Sequence, residues 1–253
     1  IYAFARGADD VADEGDAPPI ARLARLHDYQ LALEACAHGH PVHDPSLAPL
    51  FERLGRAIAA HGLPLQPFRD LLDAFMQDVG KTRYRDFDEL RDYCRRSADP
   101  VGRLMLHLYG AATAENLKRS DAICTSLQLI NFWQDVAVDW RKRRIYLPQD
   151  DMARFGVSDS DIVRRVASAD FRKLMNFQVD RARVLMLSGA TLGWDLPGRI
   201  GLEIRAIVAG GLRILDKIEA VDYDVFTRRP VLQAADWPRI LWRSLVRPLE
   251  AQS

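Results

Sequence analysis

Two aspartate-rich segments hold the residues best able to do chemistry, and the first is IYAFARGADDVADEGD, residues 1–16. On a helix, four polar residues of this segment share one face at positions i, i+4, i+7 and i+11: Tyr2, Arg6, Asp9 and Asp13. Asp10 and Glu14 form an adjacent i, i+4 pair. The apolar residues fall mostly on the other side: Ile1, Phe4, Ala8, Val11 and Ala12. The spacing predicts an amphipathic helix that carries a carboxylate stripe.

The second segment, LQLINFWQDVAVDW at residues 127–140, has a polar stripe in more apolar surroundings. Spacings of three, four and four residues put four side chains on one helical face: Gln128, Asn131, Asp135 and Asp139. The residues around them are strongly hydrophobic: Leu127, Leu129, Ile130, Phe132, Trp133, Val136 and Val138. The pattern predicts a narrow polar stripe on a helix whose other faces are buried.

Closely spaced carboxylates of this kind call for a cation. Carboxylates at i and i+4 lie about 5–6 Å apart and repel each other, and the repulsion grows away from water. Mg²⁺ prefers one or two carboxylates together with waters and substrate phosphate oxygens. Two such stripes on facing helices would hold a small Mg²⁺ cluster with a diphosphate between them, which makes carbon–oxygen ionisation possible. The alternatives without a metal are a solvated acidic helix end for the first stripe and pairing with the basic residues Arg141–Arg144 for the second.

The composition is that of an ordinary globular protein. The chain has 253 residues, with 35 Lys plus Arg and 35 Asp plus Glu, so its formal net charge is zero. This balance argues against nucleic acid as the main partner. Cys36, Cys94 and Cys124 are odd in number and widely spaced, which indicates a reducing, cytoplasmic compartment. No apolar stretch approaches the ~20 residues that span a bilayer.

Helical periodicity dominates and predicts a single all-α domain over residues 1–253. Short breaks separate the helical stretches, at residues 38–49, 62–67, 99–100, 148–160, 193–198 and 223–230. Asp99 is expected to cap a helix that starts at Pro100, and Pro148 to end the helix before it. The pattern at Ile1 already looks mid-helix, so we expect a short N-terminal segment upstream of it.

Four ordered motifs together resemble the squalene/phytoene synthase family. Residues 2–14, YAFARGADDVADE, are similar to the family's first aspartate-rich signature, and residues 127–148, LQLINFWQDVAVDWRKRRIYLP, to its second. Between them, YCRRSADPVG at residues 93–102 resembles the Tyr-Cys…Val-Gly segment. DVFTR at residues 224–228 resembles a late segment of the family. The resemblance spans nearly the whole chain.

The resemblance implies an all-α isoprenoid-synthase fold with a central hydrophobic cavity, Mg²⁺ as the cofactor and a prenyl diphosphate as the substrate. It implies six metal-binding residues: Asp9, Asp10, Asp13, Asn131, Asp135 and Asp139. The implied catalytic residues are Asp9, Asp13, Asp135, Asp139 and Tyr146. Substrate contacts are implied for nine others: Tyr2, Arg6, Tyr93, Val101, Gly102, Gln128, Gln134, Arg144 and Arg228.

Two departures narrow the choice within the family. Members that form squalene or carotenoids usually have Arg before the aspartate of the second motif, where this chain has Gln134. They usually carry a Tyr-rich segment where this chain reads GGLR at residues 210–213. Asn131–Asp135 with Asp139-Trp140 is similar instead to the hydroxysqualene synthase branch of bacterial hopanoid pathways. That branch ionises presqualene diphosphate, captures the carbocation with water and needs no NADPH.

Other interpretations stay open at this point. One enzyme alternative is head-to-head condensation of two prenyl diphosphates to presqualene diphosphate, squalene or phytoene. A non-catalytic assembly protein on the same fold is another. His38, His40 and His43 with Asp44 could form a transition-metal site, and Arg141–Arg144 a basic patch. The stretch at residues 237–249, with Arg239, Arg243 and Arg247, predicts a basic amphipathic helix that either packs on the core or lies peripherally on the inner membrane surface.

Overall fold

The computed structural model describes residues 1–246, and these are helices joined by turns and loops, with no β-strand among them. The prediction of an all-α fold is therefore confirmed. The described chain divides into two compact units, residues 1–82 with 92–113 and residues 83–91 with 114 onward. The single domain and the central cavity stay predictions.

Unit 1 is built around the helix that carries the first stripe. Its helices are α1 (Tyr2–Asp13), α2 (Pro19–Ala37), α3 (Ala48–His61), α4 (Gln66–Asp78), the end of α5 (Phe87–Ser97) and α6 (Asp99–Leu108). Phe4 of α1 is fully buried, with its ring edge-on to Phe51 at 5.8 Å and Phe68 at 5.4 Å. Ala8 and Ala12 are buried on the same face. This packing fixes α1 through its apolar side, as the periodicity predicts, and leaves the carboxylates on the other.

Unit 2 contains the long helix that carries the second stripe. Its α-helices are the start of α5, then α7 (Ala114–Asp139), α8 (Gln149–Arg154), α9 (Asp159–Arg164), α10 (Ala169–Gly189), α11 (Leu192–Asp195), α12 (Gly198–Ala220) and α13 (Trp237–Leu245). Short 3₁₀ turns lie at Trp140–Lys142 and Ala234–Asp236. No Gly or Pro interrupts residues 114–139, so nothing in the sequence breaks α7 over its 26 residues.

Small residues let α7 pack closely on its neighbours. A Cβ at Gly189 of α10 would overlap the carbonyl oxygen of Arg119 and lie 2.8 Å from Ile123 Cγ1. The hydroxyl of Ser126 donates to the Ala182 carbonyl at 2.7 Å in the same buried contact. A Cβ at Gly211 of α12 would lie 3.2 Å from Leu127 Cδ2 and 3.4 Å from Ile130 Cδ1 of α7. These contacts hold α7 by one face and fix where its polar stripe points.

Of the two sequence predictions about prolines, the one for Pro148 is wrong and the one for Pro100 is partly confirmed. The prediction that Pro148 ends a helix is wrong, because α7 ends at Asp139 and Pro148 is the residue before α8. Arg143, with φ 57°, turns the chain after the 3₁₀ segment instead. Pro100 does lie in the first turn of α6. Asp99 is the first residue of that helix and is buried, so it does not act as the expected cap.

The C-terminal stretch forms α13 as far as Leu245, and Arg247 lies outside the described residues. Only two residues in the last two turns of this helix are buried, Ile240 and Ser244. No helix in the described part of the chain has the length and apolar character to cross a bilayer. The helix is therefore amphipathic, with its apolar side largely exposed.

Asp236 ties α12 to α13 and gives a pH-dependent contribution to stability. Its buried carboxylate accepts from Lys217, from the backbone N–H of Gln233 at 2.8 Å and from Arg213 Nε at 2.7 Å. The hydrogen bond from Lys217, followed by those from Gln233 and Arg213, holds the pKa of Asp236 far below its usual range. The ionised form therefore stabilises the fold.

We expect Asp236→Asn to destabilise the protein near pH 7 and to lose that effect in acid. Because the folded-state pKa is depressed below the unfolded value of about 3.9, the stabilisation is complete above that pH. It is lost as the pH falls toward the folded-state pKa. Urea unfolding of wild type and variant, near pH 7 and in acid, checks this. The difference in the free energy of unfolding should be smaller in acid, and an equal difference under both conditions would contradict the prediction.

Candidate active site

The first stripe is a cluster of carboxylates around one arginine. The Arg6 guanidinium lies 2.8 Å from Asp10, 2.9 Å from Glu14 and 3.3 Å from Asp9. Asp10 raises the pKa of Arg6 most, and Glu14 and Asp9 add to the rise. Asp13, the last residue of α1, is half-buried. Three carboxylates are thus gathered around the Arg6 guanidinium on this side of α1.

The second stripe lies on α7 as the spacing predicts. Leu129, Ile130, Trp133 and Val136 form the buried face of the helix. The stripe residues lie on the more open face, with Asn131 exposed and Gln128, Asp135 and Asp139 half-buried. Amide and carboxylate oxygens are thus aligned along one side of a rigid helix.

Asp135 is engaged by an arginine that the sequence analysis did not single out. Arg229 meets its carboxylate with two nitrogens: Nε on Oδ1, and Nη2 on Oδ2 at 3.1 Å. These hydrogen bonds raise the pKa of Arg229, and the charges of Asp135 and Asp139 contribute to the rise. Arg229 lies in a loop, where no periodicity marks its partner. Its place beside the DVFTR motif was the one available signal.

The loop that carries Arg229 is tied to α7, α10 and α12. The side-chain amide of Gln134 donates to the carbonyl of Pro230. Lys217 Nζ of α12 donates to the carbonyl of Val231 at 2.7 Å. Phe226 packs on Phe171 of α10 with ring centroids 4.6 Å apart. Gln134 therefore has a structural contact that the sequence did not reveal, while its role toward substrate stays a prediction.

Tyr146 is held flat against the stripe helix. Its ring stacks on Phe132 at 3.7 Å between centroids and on Tyr84 at 5.6 Å. Phe132 directly follows Asn131 of the stripe, so Tyr146 is brought to the neighbourhood of the predicted metal ligands. The loop before it begins with the backbone N–H of Arg144 donating to the Asp139 carbonyl at 3.0 Å.

The remaining predicted substrate residues occupy varied environments. Tyr93 is buried in unit 1, and its hydroxyl donates to Asp78 at 2.7 Å. Tyr2 and Val101 are exposed, and Gly102 is half-buried. Arg228 has an exposed side chain, and its backbone N–H bonds to the carbonyl of Asp224 at 3.2 Å. Their assignment to substrate stays a prediction.

The donor set suits Mg²⁺ and not a metal held by protein ligands alone. Within residues 1–246, no group of three or more His, Cys, Asp and Glu side chains is gathered closely enough to hold a metal ion. Mg²⁺ needs only one or two carboxylates, because waters and phosphate oxygens complete its shell. The Asp135 side chain, which is 13% exposed and is paired with Arg229, offers the carboxylate oxygens that Mg²⁺ prefers. The residues present therefore fit Mg²⁺ bound together with a phosphorylated substrate.

The histidine-rich loop does not form the transition-metal site considered from the sequence. Asp44 binds Arg25 and Ser46 instead of joining the histidines. Ser46 and Arg25 lower the pKa of Asp44 to about 2. The ring of His38 faces Glu34 at 3.8 Å. Arg141, Lys142 and Arg143 are exposed, as expected of a solvated basic run.

Comparison with known proteins decides the family. The squalene/phytoene synthase family model matches residues 1–236. The chain belongs to the squalene/phytoene synthase family. This confirms the resemblance read from the four motifs, and with it the expectation of a family of enzymes that process prenyl diphosphates.

Curated relatives within the family carry two different activities in their names. The chain is 33% identical to phytoene synthase 3 of Zea mays over 98% of this chain and 59% of the maize enzyme. It is 36% identical to hydroxysqualene synthase of Rhodopseudomonas palustris over 88% of this chain and 74% of that enzyme. The chain thus spans little more than half the length of the plant relative, and family membership alone does not choose the reaction.

Among solved structures, squalene synthase HpnC from Alicyclobacillus acidocaldarius is similar in fold and sequence. The TM-score is 0.81 at 38% identity, covering 88% of this chain and 81% of that one. This similarity confirms the squalene synthase-like isoprenoid-synthase fold expected from the motifs.

Proposed function

We propose that this protein ionises presqualene diphosphate with Mg²⁺ and captures the carbocation with water to give hydroxysqualene, as in hopanoid biosynthesis. The carbon–oxygen bond of the substrate breaks, and its electron pair leaves with the diphosphate. A water oxygen then bonds to the carbocation and loses a proton. No nicotinamide cofactor is needed, because no hydride is transferred. The observation that carries the proposal is the stripe of amide and carboxylate oxygens on the open face of α7, in which Asp135 is paired with the positively charged Arg229.

The roles of the residues follow from their placement. Asp135 and Asp139, with Asn131 beside them, would hold Mg²⁺ on α7; Asp9, Asp10 and Asp13 would do so on α1. When bound, Mg²⁺ supplies neutralisation of the charge that develops on the leaving diphosphate. Arg6 brings positive charge to the first stripe.

Tyr146 is proposed to contact the diphosphate or to shape the site. Its ring is held in place by stacking on Phe132 and Tyr84. Gln128, Gln134, Arg144 and Arg228 are proposed to contact the substrate, as are Tyr2, Tyr93, Val101 and Gly102.

The choice of branch is supported by the residue before Asp135. An uncharged Gln134, whose amide is committed to the Pro230 carbonyl, removes a fixed positive charge beside the diphosphate. That change favours a site that handles one diphosphate and a water over one that condenses two prenyl diphosphates. Condensation to presqualene diphosphate, squalene or phytoene is the second candidate, favoured by the similarity to phytoene synthase 3.

A product assay separates the two candidates. Purified protein with Mg²⁺ and without NADPH is incubated with presqualene diphosphate and, separately, with farnesyl diphosphate, and the products are identified by mass spectrometry. We expect hydroxysqualene from the first substrate and no C30 product from the second. Condensation of farnesyl diphosphate with no turnover of presqualene diphosphate would keep the family and overturn the branch.

We further propose that the enzyme works in the cytoplasm at the inner membrane surface, which it contacts through α13. The α13 apolar face consists of four exposed residues, Trp237, Leu241, Trp242 and Leu245, and Val246 directly after the helix is exposed as well. Arg239 and Arg243 flank it and share the single carboxylate of Asp216 with Arg183. An apolar arc beside excess positive charge suits an anionic lipid surface.

Removing apolar bulk from this face should weaken vesicle binding. We expect the double variant Trp242→Ser, Leu245→Ser to bind phosphatidylglycerol-rich vesicles roughly tenfold more weakly than wild type in a co-sedimentation assay. Vesicles of phosphatidylcholine alone should bind poorly in both cases. Val184→Ser, at an equally exposed apolar residue of α10, is the matched control and should bind like wild type. Equal binding by all three proteins would exclude the α13 apolar face as the membrane contact.

A further inference from the structure

The second stripe is paired with a cation that comes from the chain itself. Arg229 approaches Asp135 with two nitrogens on two oxygens, Nε on Oδ1 and Nη2 3.1 Å from Oδ2. The two residues are 94 positions apart in the sequence, so helical spacing alone does not bring them together. Asp135 is 13% exposed and Arg229 46% exposed. The carboxylate is thus largely covered, while the guanidinium is open on one side.

The loop around Arg229 does not depend on this ion pair for its position. Its backbone is held by Gln134 at the Pro230 carbonyl and by Lys217 at the Val231 carbonyl. Phe226 is packed on Phe171 just before it. Because the chain is anchored on both sides, the guanidinium can leave Asp135 by rotation of its own side chain.

Mg²⁺ bound at Asp135 would compete with Arg229 for the same carboxylate oxygens. Arg229 occupies both carboxylate oxygens of Asp135, and these are the atoms that Asp135 would offer to Mg²⁺. A guanidinium displaced from a carboxylate keeps its charge and its planar fork of donors. Diphosphate oxygens are well suited to receive that fork, since arginine binds phosphate with two parallel hydrogen bonds.

We propose that Arg229 has two positions: on Asp135 in the metal-free enzyme, and on the substrate diphosphate once Mg²⁺ has bound Asp135. The inference rests on the proposed function, because it takes Asp135 as a metal ligand. In the first position Arg229 relieves the repulsion between Asp135 and Asp139. In the second it adds a positive charge to the leaving group.

The two positions predict effects of opposite sign in one variant. Arg229→Met keeps the unbranched apolar part of the side chain and removes the charged guanidinium. By calorimetry, the affinity for Mg²⁺ alone should rise about fivefold, because no guanidinium competes for Asp135. The affinity for inorganic diphosphate at saturating Mg²⁺ should fall about tenfold, because its partner is gone. A general loss of folding would weaken both affinities.

Arg172→Met is the matched control, since Arg172 is 45% exposed and pairs with Asp222 of the same loop at 2.9 Å. It should leave both affinities unchanged. The proposal is overturned if Arg229→Met leaves Mg²⁺ binding unchanged or weaker, or if Arg172→Met has the same effects. Asp135→Asn tests the metal site separately from the two positions of Arg229. If this variant binds Mg²⁺ as tightly as wild type, the proposed metal site itself is wrong.

Discussion

Asp135→Asn is expected to lower the rate of diphosphate release from presqualene diphosphate by about 10²- to 10³-fold. The substitution keeps the shape of the side chain and removes the charge that would hold Mg²⁺ against the leaving group. Electrostatic stabilisation of this kind is worth about 3–4 kcal/mol per group in enzymes, which corresponds to a factor of that size. The measurement is steady-state release of diphosphate at saturating substrate across a range of Mg²⁺ concentrations.

The control for this variant is another carboxylate on the same helix. Glu115 lies in the first turn of α7 and pairs with Arg119 at 2.8 Å, away from the stripe. Glu115→Gln should leave the rate within about threefold of wild type, since exposed ion pairs contribute little. If Asp135→Asn were as active as Glu115→Gln, Asp135 would not be a metal ligand.

Phe4→Ala is expected to cause the largest loss of stability of any single change considered. Phe4 is fully buried between Phe51 and Phe68 and contacts Tyr29 at 6.3 Å between ring centroids. Truncating a buried phenylalanine costs about 3–5 kcal/mol through lost burial and the cavity left behind. In a chain of this size that corresponds to a fall in Tm of roughly 10 °C. Thermal unfolding followed by circular dichroism checks the value.

Tyr2→Ala on the same helix provides the comparison, because Tyr2 is an aromatic residue that is 80% exposed. Its effect on Tm should be small, since surface substitutions usually change stability by less than about 0.5 kcal/mol. Equal effects of the two changes would mean that α1 is not anchored by its apolar face. The carboxylate stripe would then not be held in place by the packing of Phe4.

The sequence predicted the two helices that carry the carboxylate stripes. The stripes on α1 and α7 follow from spacings of three and four residues, and most apolar residues of the two segments are buried, although Val138 is exposed. The contacts of Arg6 with Asp9 and Asp10 are also i, i+3 and i, i+4 pairs. Such relations are local, so periodicity is enough to find them.

The contacts made by the late loop could not be predicted in this way. Arg229 with Asp135 and Gln134 with the Pro230 carbonyl join residues more than ninety positions apart. A loop has no repeating geometry that would indicate which of two adjacent arginines turns toward the stripe. The error at Pro148 has a related origin: α7 ends earlier, at Asp139, and the 3₁₀ turn that follows it ends in a left-handed conformation at Arg143. Arginine is not a residue that marks such a turn in a sequence.

Oxygen-isotope labelling tests directly whether the carbon–oxygen bond ionises and water captures the carbocation. The enzyme is incubated with Mg²⁺ and presqualene diphosphate in water labelled with oxygen-18, and both products are examined by mass spectrometry. Ionisation of the carbon–oxygen bond followed by water capture predicts one labelled oxygen in hydroxysqualene and unlabelled diphosphate. Label in the released diphosphate, with an unlabelled C30 alcohol, would mean that water attacks phosphorus and that the carbon–oxygen bond is not ionised.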